Sequence, residues 1–187
     1  MAEGRRLPRG ERREQIITAA TAAFARAGFA ATNLDDVAAE AGISRAILYR
    51  HFDSKTDLYQ AVLDSACGRL ITATGAEEFT EESVAGLLAA AADDPAGFRL
   101  LFHHAAREPE FRQVMDQFRI DMTAVAHKHL AASIPDPDWA AWAAQLVPMV
   151  AIGAVTAWLD AGRPDPDRAA ERIREAVFGV IAAAQRA

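Results

Sequence analysis

The stretch TNLDDVAAEAGISRAILYRHFDSKTDL, residues 32–58, decides the reading of this chain. Its polar residues fall where short helices begin. Asn33 is placed to cap a helix over 34–41, with Asp36 at the third position, where a carboxylate meets free amides and the helix dipole. Gly42 supplies a tight turn. Ser44 then caps a helix over 45–51, and Ser54-Lys55-Thr56-Asp57 forms a capping-box pattern, with Asp in the usual Glu/Gln position, that opens a further helix. Val37, Ala38, Ile43, Leu48 and Phe52 are spaced to form the core between these helices, and Ala38 is small enough for close approach. Two short helices, a tight turn and a third helix start make a helix-turn-helix, the arrangement that enters the DNA major groove.

The outer face of the 45–51 helix carries the candidate chemistry. Such a helix enters the groove N-terminus first, so Arg45, Ala46 and Ile47 are the expected base contacts. Arg45 can bond guanine with two N–H groups, and Ala46 and Ile47 can meet a thymine methyl. Tyr49, Arg50 and His51 carry donors for phosphate oxygens. Lys55, with the free amides beside it, makes a second expected phosphate contact, joined by Thr32, Asn33 and Ser44 at their helix starts. Upstream, a helix over 10–27 presents Ile16, Ile17, Ala20, Ala23, Phe24 and Ala27 as one stripe, and Gly28 sits where a terminating glycine belongs. A bare helix-turn-helix pattern also fits a plain helical hairpin with a solvated face. Here caps, glycine, core spacing and flanking basic residues agree, which favours the DNA reading.

These residues closely resemble the TetR family of bacterial transcriptional regulators over about residues 10–60. The match runs through Ala31-Thr32-Asn33-Leu34-Asp35-Asp36-Val37-Ala38, Ala41-Gly42-Ile43-Ser44, Leu48-Tyr49-Arg50-His51-Phe52 and Ser54-Lys55-Thr56-Asp57-Leu58. Two positions depart from the family pattern: Ala46 stands where glycine is common and Ile47 where a small polar residue is frequent. The resemblance implies an all-α protein with two parts: an arm and DNA-binding domain over 1–56, and a helical ligand-binding and dimerisation domain over 57–187. It further implies a homodimer on a near-palindromic double-stranded operator, read as a repressor released by a small effector.

Composition agrees with that organisation. The 187 residues are 51% hydrophobic, rich in alanine, and carry a net charge of -6. The charge is uneven: residues 1–60 hold nine basic and eight acidic side chains, against 11 and 18 in the remainder. Arg5, Arg6, Arg9, Arg12 and Arg13 place a basic arm beside the reading motif. Periodicity and the punctuating prolines predict about nine helices in all. The fourth runs to Gly75 and belongs to both domains. Five more follow, over about 80–92, 95–106, 109–132, 137–161 and 166–185. The charged start shows no signal peptide, and the single Cys67 cannot form an internal disulfide. A cytoplasmic location follows as the expectation.

The uncharged run 139–159 has the length of a membrane span, but alanine content, Gln145, Pro148 and acidic flanks favour a helix buried on several sides. Ile152, Gly153, Val155 and Ala157 on this helix, with Ile173, Val177, Val180 and Ile181 on the last, are the expected dimer interface of a four-helix arrangement. Large side chains between 98 and 149 are the expected ligand wall: Phe102, Phe111, Met115, Phe118, Met122, Trp142 and Met149, with His103, Arg119 and Gln145 as polar handles. An apolar effector is favoured because the handles are few. His103-His104 and the pair His127 and His129 point apart on a helix with no completing ligand, so no metal is expected, nor any cofactor. No nucleophile elbow, phosphate loop, dinucleotide fingerprint or zinc-helix motif is present, and no enzyme is expected. A helical adaptor without an effector is the alternative.

Overall fold

The computed structural model describes residues 7–75 and 80–186. Arg5 and Arg6 of the expected arm lie outside the described residues. Nine α-helices, and no strand, occur among those described: α1 (Arg9–Ala31), α2 (Leu34–Glu40), α3 (Arg45–Leu48), α4 (Lys55–Thr74), α5 (Glu81–Asp93), α6 (Pro95–Arg99), α7 (Arg112–Leu130), α8 (Pro137–Asp160) and α9 (Pro166–Ala184). The all-helical architecture read from the sequence is therefore present.

Local signals set the first four helices. Gly28 interrupts α1 at φ 74°, which a side chain would strain, and the chain leaves helically again for one short turn. The Asn33 side chain accepts the Asp35 N–H at 3.0 Å, and Ser44 caps α3 through the Ile47 N–H at 3.4 Å. Ser54 accepts the Asp57 N–H at 3.0 Å, but the Asp57 carboxylate reaches one residue further back than a standard box, to the Asp53 N–H at 2.9 Å. Gly42 makes the turn with φ 64°. The expected seven-residue third helix keeps α-helical geometry only to Leu48; Arg50 and His51 N–H groups bond three residues back, to Ile47 and Leu48, tightening the last turn. Leu48, Val37 and Phe52 are buried against Ile16, Ile17, Ala20 and Phe24 of α1. Arg26 and Glu40 form an ion pair that ties α1 to α2, and the Arg26 hydrogen bond holds the Glu40 carboxyl below its ordinary value.

The helical body is packed on the far half of α4. Gly86 of α5 crosses α4 so closely that a Cβ there would lie 1.8 Å from the Ala73 carbonyl oxygen. Ser83 joins the same crossing, accepting from the Thr80 N–H and donating to the Thr74 carbonyl at 2.8 Å. The single helix expected over 95–106 divides into α6, a π-helical turn over Leu100–His104 and a 3₁₀ turn over Ala105–Arg107. The wider π turn lets the consecutive Leu100 and Leu101 both face the core while Phe102 faces a cavity. The helix expected from 109 begins as a 3₁₀ turn, Pro109–Phe111, before α7. α8 is long and apolar enough to cross a membrane, with mean hydropathy 1.6. It packs against α5, α7 and α9 along Ala140, Ala143, Ala144, Val147, Ala151, Val155 and Leu159.

Candidate nucleic-acid interface and cavity

The outward face of α3 presents Arg45, Ala46, Tyr49 and Arg50 to solvent, with Ile47 and His51 half-buried. The guanidinium of Arg45 is held from two sides. It donates to Asp35 Oδ2 at 3.0 Å and to the Tyr49 hydroxyl at 3.4 Å, and it lies 5.5 Å from the Tyr49 ring centre. The first turns of α1 reach the same face. Arg13 sits over the Phe52 ring at 5.0 Å. Burial, and then the charges of Arg9, Arg12 and Arg13, hold His51 below its ordinary value of 6.5. The charges of Arg9, Arg12 and Arg13, which sequence showed only as a basic arm, thus act on the end of the reading turn. Their spacing from α3 could not be read from sequence, because Arg13 and Arg45 stand 32 positions apart.

Two expected phosphate donors are placed differently. Thr32 is buried, and its hydroxyl donates to the Gly28 carbonyl at 2.7 Å, closing the end of α1. A β-hydroxyl beside orphan carbonyls finds them before it finds solvent. The Lys55 ammonium donates to the Ala30 carbonyl at 3.1 Å and lies 4.7 Å from the Phe29 ring centre. It therefore fastens α4 to the end of α1, with its remaining donors available. Asn33 and Ser44 keep their side-chain oxygens on amides of their own helices.

A second feature lies in the body. A cavity of about 200 Å³ opens between α4, α5, the π turn, α7 and α8. Leu70, Ile71, Val84, Leu87, Phe102, Phe118, Met122 and Ile152 give it an apolar wall, with polar atoms from Thr74, Ser83 and Asp121. Of the ten expected wall residues, the structure brings Phe102, Phe118 and Met122 together here. Phe111 is instead buried beneath the head, 4.4 Å from Tyr59 and 5.1 Å from Phe29 between ring centres. Trp142, Gln145 and Met149 are exposed on the outer side of α8, one turn apart. His103, Met115 and Arg119 are also outside the wall, and Arg119 pairs with Asp116 at 3.5 Å. Apolar periodicity marked the right helices but could not say which side of each faced the gap. Asp121, three residues from Phe118, was missed because a single carboxylate on a polar helix face carries no signal.

The expected dimer seam is also turned. Val155, Ile173 and Val177 are buried within the chain, where they hold α8 and α9 to the body. Val180 and Ile181 are half-buried beside them, and Ile152 turns to the cavity. The strongest stripe on each helix faces its own core, as burial of the most apolar residues requires. The exposed positions include Trp139, Trp142, Gln145, Met149, Gly153 and Ala157 on α8 and, on α9, Phe178, Gly179 and Ala182 together with charged Arg168, Glu171, Arg172 and Glu175. His103-His104 and His127 with His129 belong to no group of three metal-binding side chains among the described residues. Burial pushes the Cys67 thiol up to about 11.

The head and body meet at Phe29. Its N–H donates to Glu108 Oε1 at 3.1 Å, and a Cβ on Gly28 would lie 3.3 Å from that oxygen and 3.6 Å from His104 Nδ1. Tyr59 is buried in the same ring cluster, its hydroxyl without a hydrogen-bond partner among the described residues. Burial, with the Glu108 charge second, pushes its phenol upward. His104 ends the π turn whose Phe102 lines the cavity, so cavity and head share one short element.

A family model described as bacterial regulatory proteins, tetR family, matches residues 16–62. The chain is 32% identical over 190 residues to the HTH-type transcriptional activator FasR of Mycolicibacterium smegmatis, covering 94% of this chain and 85% of that protein. The HTH-type transcriptional regulator TtgR of Pseudomonas putida is 51% identical over 55 residues, 29% of this chain and 26% of that one. A TetR-like transcriptional regulator from Rhodococcus sp. RHA1 has the same fold, with a TM-score of 0.83 at 22% identity, covering 95% of this chain and 99% of that one. These relatives are transcription regulators rather than enzymes. With its helix-turn-helix head and a relative matched along nearly its whole length, the chain belongs to the TetR family of DNA-binding transcriptional regulators.

Proposed function

We propose that this protein is a cytoplasmic, homodimeric repressor that binds a near-palindromic operator and is released by a small, largely apolar effector. The observation that carries this reading is the π turn: its Phe102 lines the cavity, and its last residue, His104, lies against Gly28 of the head. An effector that prefers a different π-turn geometry then biases the angle of the head. Weakening operator binding 100-fold needs about 2.7 kcal/mol of such preference. The division falls near residue 56, with α4 shared by both parts.

In this reading Arg45, Ala46 and Ile47 meet base edges, and Tyr49, Arg50, His51 and Lys55 meet phosphates. Arg9, Arg12 and Arg13 add to the phosphate grip. A second copy covers the outward faces of α8 and α9, where uncharged Trp142, Met149, Gly153, Ala157 and Phe178 stand exposed. This also accounts for an apolar α8 without a membrane. Among the described residues, no Lys, Arg or His lines the cavity, while Asp121 does. A neutral or cationic effector, of about the size of one ring with a short chain, suits it better than a free carboxylate.

The similarity to a protein named a transcriptional activator supports a second reading, in which the same bound dimer raises transcription. One experiment addresses both. Genomic fragments retained by the full chain are sequenced, footprinted and placed before a reporter. The expected result is protection of two half-sites and lower reporter output with the protein present. Protection of one half-site would overturn the dimer, and higher output would replace the first reading with the second.

A further inference from the structure

Asp35 places a carboxylate on the surface of a DNA-reading head, beside its reading residues. It is half-exposed, stands on the first turn of α2, and carries a negative charge beside the residue placed to read bases. A carboxylate there repels every duplex, whatever its sequence. Yet its position is built. Asn33 caps α2 by accepting the Asp35 N–H at 3.0 Å, and Asp35 Oδ2 accepts from Arg45 Nη1 at 3.0 Å. On the other side Arg45 Nη2 reaches the Tyr49 hydroxyl at 3.4 Å, with the ring 5.5 Å from the guanidinium carbon. The two contacts come from different helices and use two of the five guanidinium donors.

We propose that Asp35 is a specificity-determining positioning residue: with Tyr49 it clamps Arg45 in a guanine-reading pose and charges an electrostatic penalty to duplexes that cannot engage Arg45. The inference rests on the base-reading role proposed for Arg45. A long, flexible side chain that must first be ordered discriminates poorly, since it can settle on a phosphate as readily as on a base. Tethered to Asp35, Arg45 reaches a phosphate less easily, and three donors remain for the two acceptors on the guanine edge. Where guanine is absent, the carboxylate remains near DNA, still paired with Arg45, and no base contact by Arg45 offsets its repulsion. Asp35 thus lowers affinity in general and raises the contrast between right and wrong sequences.

The test uses the full chain and duplexes selected by it from a random pool. Base preference is measured position by position, together with binding to an unrelated duplex, at one fixed salt concentration. For Asp35→Ala, binding to the unrelated duplex is expected to tighten, while preference for guanine at one position per half-site falls by about 5- to 150-fold, the range of one bidentate contact. Arg45→Ala should lose the same preference but bind every duplex more weakly. The double variant should show no further loss of preference beyond Arg45→Ala. Asp35→Asn keeps a hydrogen-bond acceptor and should retain part of the preference while losing the repulsion. If Arg45→Ala removes the preference and Asp35→Ala does not, the clamp is wrong and the Arg45 reading stands. If neither changes it, both fall. Helical melting of each variant separates these outcomes from loss of fold, which would move all positions alike.

Discussion

The head and the body of this protein are both helical and both alanine-rich, but they are specified differently. Side-chain caps are common to both, Asn33, Ser44 and Ser54 in the head and Thr80, Asp94 and Asp136 in the body each bonding an amide two or three residues on, so the difference lies in the interior. Val37, Leu48 and Leu58 of the head's core are wholly buried. The body has a cavity of about 200 Å³ at its centre and apolar side chains on its outside. The difference teaches that a reading surface rests on tight local packing, whereas the proposed response of the body would need the room that its cavity leaves.

The largest test of this contrast is truncation of the core on each side. Leu48→Ala should cost about 2–5 kcal/mol, because the tightly packed head cannot collapse around the gap. Met122→Ala already faces empty volume and should cost less, about 1–2 kcal/mol. Thermal melting of the two variants checks the ranking, and equal losses would break the comparison.

Next comes the outer face of the body. Met149→Arg combined with Gly153→Arg puts charge on the exposed side of α8 without touching the cavity. Sedimentation should show a monomer that keeps its helical content, and operator affinity should fall by about 100-fold or more as the second half-site contact is lost. A dimer that survives both changes would remove this face from the interface.

A smaller effect marks where the body is as strict as the head. Gly86→Ala places a Cβ against the Ala73 carbonyl, so α4 and α5 must separate. The expected cost is about 1–3 kcal/mol in a melting experiment. The same change at Gly153, with open space around it, should have little effect on the stability of the single chain.

The smallest effect concerns pH. In the free head His51 is held below 6.5 by burial and by Arg9, Arg12 and Arg13. Its neutral form is therefore favoured by the fold, and acidification from 6.5 downward through the folded value costs stability. A phosphate at the same face favours the charged form, so the bound value rises. Operator affinity should then increase as pH falls through this window, by about two- to fivefold, and His51→Gln should remove the dependence. Fluorescence anisotropy at constant ionic strength between about pH 5 and 8 measures both.

How far the sequence could be read follows the same division. The helices among the described residues, with their prolines and caps, and the helix-turn-helix were legible because each rests on contacts within a few residues. The split of the expected 95–106 helix was not, since a π turn is set by what Leu100, Leu101 and Phe102 must face at once. Thr32 and Lys55 carried the right chemistry for phosphate, but the end of α1 engages both. Val155, Ile173 and Val177 formed a clear apolar seam, yet a seam alone does not distinguish its own core from a partner.

By itself, then, the sequence determined an all-helical chain with a DNA-reading head, because caps, turn glycine and side-chain spacing act over one or two helical turns. Only the tertiary structure decided which apolar faces meet, where the cavity opens, how the charges of Arg9, Arg12 and Arg13 act on His51, and that Asp35 holds Arg45. These depend on helix rotation and crossing, which couple residues far apart in the chain and leave no periodic mark on any one of them.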